Sequence, residues 1–186
     1  MHSVEYKLLY HCAPTIYGVK SANLFSLQNV TDTEVQNIFL YYSQLLAKCG
    51  LKIKIMCRCS KHVLFYVYNA KLLKERISDK KVKAFLSDYG YHDFSDIEHV
   101  LEHLHSRIVS EASFPHEIGI FLDYPLTDVI GFIKNKGQNF KYSGCWKVYG
   151  NVNKSIKLFN SYDRCRDDVC RKLHHGLSVT QVLLSA

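Results

Sequence analysis

The chain has 186 residues, 47% of them hydrophobic and 22% charged, with a formal net charge of +7. Such a chain can bury a sizeable core, which argues against wholesale disorder, and no apolar run approaches the roughly 18 residues that cross a bilayer. The stretch from Met1 to Thr15 is too broken by polar side chains for a secretory signal, and seven irregularly spaced cysteines argue against a disulfide scaffold. The expectation is a cytoplasmic protein with reduced thiols and no membrane partner, folded as one globular domain over residues 1–186.

The first segment, His11-Cys12-Ala13-Pro14-Thr15, reads as extended chain, with Pro14 and Thr15 marking a turn or the start of a helix. From Thr31 to Gly50 the residues Val35, Ile38, Phe39, Tyr42, Leu45, Leu46 and Cys49 recur at helical steps. Thr31 or Asp32 caps that helix and Gly50 ends it. Residues 51–59 then alternate, with Leu51, Ile53, Ile55, Cys57 and Cys59 on one face and Lys52, Lys54, Met56 and Arg58 on the other. Ser60 and Lys61 turn the chain into an apolar run over 62–68 that suits a strand covered on both faces.

Helices are expected at about 69–77, 79–88 and 95–112, the last carrying Ile97, Val100, Leu101, Leu104 and Ile108 inward. Gly119 to Leu122 reads as a short strand. A helix opens at Tyr124-Pro125 and closes at Gly137, Cys145 to Tyr149 forms a strand, and Asn151 caps a long helix reaching about His174. The predicted class is α+β: a single domain with a small, mostly antiparallel sheet that includes the 51–59/62–68 hairpin, packed by several helices.

The block from Phe114 to Gly150 is the most distinctive part, dense in glycine and aromatic residues and holding the sole tryptophan, Trp146. Together with YHCAPTIYGVKSANLFSL and the GYHDF region, its FPHEIGIFLDYPLTDVIGFI and SGCWKVYG elements resemble the bacterial domain-of-unknown-function family 3793 over nearly the whole chain. The resemblance implies a small soluble bacterial protein without an assigned activity, and points towards anaerobic redox or iron metabolism. It also implies glycine at position 123 and an aromatic residue at 145, where this chain has Asp123 and Cys145.

Chemistry-bearing residues fall into a few sets. Cys12 is a candidate nucleophile or soft ligand, though His11, its neighbour on an extended chain, points to the opposite face. His116 and Glu117 are the best acid–base pair by residue type, yet HEIGI lacks the second histidine of a zinc-protease helix. Lys20 and Lys147 suit an anionic ligand, and Tyr149, on the strand face of Lys147, offers a ring. Cys57 and Cys59 could join a metal only with further ligands, and His99 and His103 read as a solvated helix face. His174 and His175 read as surface residues too.

Two basic clusters, Lys71 to Lys83 and Arg164 to Lys172, raise the question of nucleic acid. No RNA-binding signature, helix-turn-helix, P-loop or dinucleotide fingerprint accompanies them. The leading expectation is therefore a small-molecule- or metal-binding accessory protein, with its pocket built from residues 11–20, the FPHEIG loop and the WKVY strand. A Cys12–His116–Glu117 enzyme and a nucleic-acid- or ribonucleoprotein-binding inhibitor are the alternatives, and no cofactor is named by any motif.

Overall fold

The computed structural model of the chain describes residues 4–58, 62–110 and 114–186. It divides into two compact units, one formed by Met1–Ala70 with Tyr162–Ala186 and the other by Lys71–Ser161. The class is α+β, as the residue patterns predict.

In the first unit, α1 (Val4–Ile16) precedes β1 (Ala22–Gln28), α2 (Asp32–Ala47) and the hairpin strands β2 (Leu51–Arg58) and β3 (His62–Asn69). The sheet is antiparallel with order β1-β3-β2, so β3 is central. Val63, Phe65, Tyr66, Val67 and Tyr68 are all buried, which means that both faces of β3 are covered. One face forms the main core: Phe25 stacks on Phe65 with centroids 5.0 Å apart, and Leu8, Leu9, Cys12 and Leu46 are fully buried in the same cluster.

Local readings in this unit need correction. Residues 11–15 are helical, not extended: Leu8, Leu9, Cys12, Ala13 and Ile16 recur at helical steps and are buried. Pro14 lies in the last turn, where its missing N–H removes one intrahelical bond but leaves the preceding turns intact, and its carbonyl accepts from Val19 and Lys20 to close the helix. Strand β1 carries a short alternation, with Phe25 and Leu27 buried and Ser26 and Gln28 exposed. On β2 the register shifts between Ile55 and Cys57, and this bulge turns Met56 fully inward, away from the expected lysine face. Cys59 and the Ser60–Lys61 turn lie outside the described residues.

Helix α2 is capped by Thr31, one of the two expected residues, and the cap is a reciprocal box with Glu34. Thr31 Oγ1 accepts from the Glu34 N–H at 3.3 Å, and the Thr31 N–H donates to Glu34 Oε2 at 2.7 Å. Gly50, at φ 70°, follows its end in the left-handed region.

The second unit contains α3 (Ala70–Ser78), whose first residue belongs to the other unit, then α4 (Lys80–Ser87), α5 (Ile97–Ser110), α6 (Ile118–Phe121) and α7 (Leu126–Lys134). A two-stranded ribbon of β4 (Tyr142–Ser143) and β5 (Lys147–Val148) follows. The boundary between units falls inside α8 (Val152–His174), and α9 (Val179–Leu184) completes the first unit.

Residues 118–121 form a helical turn and not a strand, because a strand here would need a pairing partner. Instead Gly119 lets Val129 and Trp146 approach; a Cβ there would lie 2.7 Å from Val129 Cγ2. Asp123, where the resemblance implies glycine, has φ 62°. That left-handed backbone suits glycine, and aspartate is among the side chains that tolerate it. Its carboxylate meets Arg76 Nε at 3.4 Å.

Asp128 explains how the ribbon is held. It is 1% exposed, and its Oδ1 accepts from the N–H groups of Tyr149 and Gly150 at 2.8 and 2.7 Å. Its Oδ2 accepts from Ser155 Oγ at 3.3 Å, so one buried carboxylate ties α7 to the ribbon's exit and to the start of α8. Gly131 completes the fit, since a Cβ there would fall 2.3 Å from Tyr149 Cγ.

Candidate functional site

Cys12 and Lys20 belong to the first unit and both are interior, at 0% and 2% exposure. Burial pushes the Cys12 thiol well above its ordinary range, and the Lys20 charge opposes this only in part. The thiol is therefore held protonated near neutral pH, the reverse of an activated nucleophile. Lys20 Nζ lies 5.2 Å from the centroid of the Tyr162 ring. Beside this region Thr15 Oγ1 donates to Asn23 Oδ1 at 2.8 Å, so the pocket-like chemistry of residues 11–23 is internal packing.

His11 reaches solvent on the outer face of α1, packed edge-on against Tyr10. Partial desolvation lowers its pKa below the usual histidine range, assisted by the positive charges of Arg166 and Lys7. It is thus neutral at pH 7.

His116 and Glu117 lie in the second unit and, although adjacent, have different destinations. Glu117 is 1% exposed; Arg107 Nε donates to its Oε1 at 2.5 Å and Tyr91 OH donates to the same oxygen at 3.3 Å. His116 is exposed, its ring edge-on to Phe132 at 4.9 Å. The carboxylate therefore orients Arg107, not the imidazole.

Lys147 and Tyr149 both reach the loop that follows α7. Lys147 Nζ donates to the Gly137 carbonyl at 2.6 Å and sits 4.6 Å from the Phe140 ring centroid, while Tyr149 OH donates to the Gln138 carbonyl at 3.0 Å. Trp146 is half-buried, stacked on Tyr124 at 4.7 Å.

What residue patterns did not reveal is a groove in the second unit. It is an open depression of about 540 Å³ between Phe85, Tyr89, Ile130 and Ile133, with Asp88 and Lys134 at its rim. Tyr89 and Ile133 also line a smaller cavity of about 130 Å³, together with Arg107, Phe114, His116 and Glu117. The FPHEIG loop thus borders the smaller cavity, whose other walls are Tyr89, Arg107 and Ile133, and not the larger groove. The only sequence signal was the spacing itself: Phe85 and Tyr89 are four apart, and Ile130 and Ile133 three apart, so each pair projects from one side of its segment.

His103 corrects the reading of a solvated face. It is half-buried, with Nε2 3.1 Å from the Tyr89 carbonyl and its ring edge-on to Tyr91 at 4.4 Å, whereas His99 is exposed. His174 and His175 are exposed as expected. Among the described residues no group of three or more His, Cys, Asp or Glu side chains is placed to hold a metal ion, and no helix is long and apolar enough to cross a membrane.

The comparison with family models closes the question of kinship. A model described as a protein of unknown function, DUF3793, matches residues 8–183. The chain belongs to this family. Membership covers both units and every candidate residue named above, but supplies no activity for any of them. Neither the curated proteins nor the solved structures contain a match to the chain.

Proposed function

We propose that this DUF3793 protein is a small-molecule-binding protein whose ligand lies in the groove of the second unit. The observation that carries the reading is the combination of volume and lining. About 540 Å³ falls within the range that small ligands occupy, and its walls are aromatic and aliphatic with charges only at the rim. Among the described residues the donors for a metal do not converge, which favours a small molecule over a metal.

The chemistry of the lining selects a ligand with an apolar, preferably flat body and a charged end. Phe85 and Tyr89 face the body, and Lys134 and Asp88 provide one donor and one acceptor for the end. His116 and Arg107 border the smaller cavity next to the shared Tyr89–Ile133 wall. Of the residues first singled out, His116 is the one positioned to meet such a ligand. Lys147 and Tyr149 act on the ribbon, and Cys12 and Lys20 on the core of the other unit.

A titration with anilinonaphthalene sulfonate, an aromatic anion that fluoresces in apolar surroundings, tests the reading. The expected result is saturable binding at one site, weakened at least tenfold by Ile133→Trp, which fills the groove, with the variant's melting profile kept close to that of the parent. Equal binding by both proteins would reject the groove as the site.

A further inference from the structure

The formal charge of +7 is not spread evenly. Around Arg164 to Lys172 the cations are largely matched: Arg166 pairs with Asp163 at 2.6 Å, Arg171 with Asp168, and Lys172 with Asp168 at 3.2 Å. From residue 129 to residue 162, by contrast, there is no Asp or Glu, yet there are six lysines: Lys134, Lys136, Lys141, Lys147, Lys154 and Lys157. None of the six forms an ion pair with a carboxylate among the described residues, and all but the half-buried Lys147 are exposed.

The fold gathers the central part of this stretch onto one surface. Lys147 and Tyr149 bond to the loop carbonyls of Gly137 and Gln138, and the Lys141 N–H bonds to the Val148 carbonyl at 2.8 Å. Gly144 admits Phe159 of α8 so closely that a Cβ would lie 2.5 Å from its ring. The C-terminal end of α7, the ribbon and the first turns of α8 are thereby locked together.

Two further features set this surface apart from an ordinary solvated face. Phe140 and Tyr142, flanking Lys141, are each 39% exposed, so aromatic rings and ammonium groups are displayed together. Helix α8 has no acidic residue in its first turn and has Lys154 there instead, opposing the helix dipole. Helix stability alone would favour the opposite charge.

We infer that the ribbon of the second unit and the lysines around it bind single-stranded nucleic acid, the lysines meeting phosphates and Phe140 and Tyr142 stacking on bases. A single strand fits because it offers both partners at once, charged backbone and open base faces, whereas a duplex or an acidic peptide offers only the charge. This inference rests on the ribbon and not on the groove, with which it shares only Lys134.

The test is fluorescence anisotropy of the full chain with labelled 20-nucleotide oligouridine and oligodeoxythymidine, set against a duplex of equal length and heparin. The account expects both single strands to bind more tightly than the duplex. Affinity should fall with salt at a log–log slope of about −3.5 if five lysines each meet a phosphate. Phe140→Ala and Tyr142→Ala should each weaken binding about tenfold, since base stacking on a ring contributes on that scale. Tyr142→Phe should retain affinity, and Lys141→Glu/Lys154→Glu should weaken binding and flatten the slope. Both rings are partly exposed and lie outside the main core, so circular dichroism of the alanine variants should match the parent. A preference for one single strand over the other would assign RNA or DNA as the partner within the same account. No binding at low salt, duplex or heparin binding as tightly as the single strands, or indifference to both alanine substitutions would overturn it.

Discussion

The two units treat their conspicuous residues in opposite ways. In the first, the cysteine and lysine that drew attention, Cys12 and Lys20, are sealed in the interior beneath helices and sheet. In the second, His116 is exposed, Lys147 and Tyr149 organise a surface loop, and an apolar groove lies open between α4 and α7. Residue type alone would rank Cys12 with His116. Burial separates them, because a thiol without solvent or a matched cation cannot ionise easily, while a rim histidine keeps its access to solutes.

The contrast can be broken by substitutions that affect stability in one place and binding in another. The largest effect is expected at Asp128, which shows that the second unit also has purely internal polar groups. Asp128→Ala strands the N–H groups of Tyr149 and Gly150, and should cost about 3 kcal/mol or more in urea unfolding. Glu117→Ala should follow, at about 2–3 kcal/mol, because it leaves the partly buried Arg107 without its carboxylate. Either variant behaving like the parent would show that these carboxylates do not hold the fold.

Cys12→Ser should cost about 1–3 kcal/mol by burying a hydroxyl in an apolar site, yet leave anilinonaphthalene sulfonate binding unchanged. Loss of binding at full stability would reverse the roles assigned to the two units. Iodoacetamide should modify the exposed Cys145 well before Cys12, read by peptide mass spectrometry.

A smaller effect concerns pH. The Cys12 thiol has its pKa raised by burial in the folded chain, whereas in the unfolded chain it ionises near an ordinary value of about 8.5. Its contribution is fully present below that value and is lost as pH rises above it, since only the unfolded state gains from ionising. Cys12→Ala should therefore flatten the decline of stability between about pH 8.5 and 10, measured by denaturant unfolding. A decline of equal steepness in both proteins would assign it to other groups. Smallest of all, Cys145→Phe, placing the implied aromatic at an exposed position, should change stability by no more than about 0.5 kcal/mol.

Much of the architecture was legible because its signals are local. The cap at Thr31, the alternation of residues 51–55 and the cap at Asn151 each act within a few residues. In helix α1 Pro14 reads as a boundary, although the apolar spacing from Leu8 to Ile16 is helical throughout. Strand β1 was missed because its evidence lies in pairing with β3, forty residues away at Phe25↔Phe65. The site suffered more from the same limitation. The groove's walls come from α4 and α7, so no run of sequence displays them together, and Arg107 meets Glu117, ten residues on, only because the fold turns the chain back. Gly131 and Gly144 were visible as glycines, but the rings that fill the space beside them were not.

The central claim is that the groove of the second unit holds a small molecule. Native mass spectrometry of the protein and of its Ile133→Trp variant, expressed and purified side by side under gentle conditions, tests it most directly. The account predicts a discrete small-molecule adduct on the parent that is absent from the groove-filled variant. Identical spectra, whether both bare or both carrying the same adduct, would contradict it.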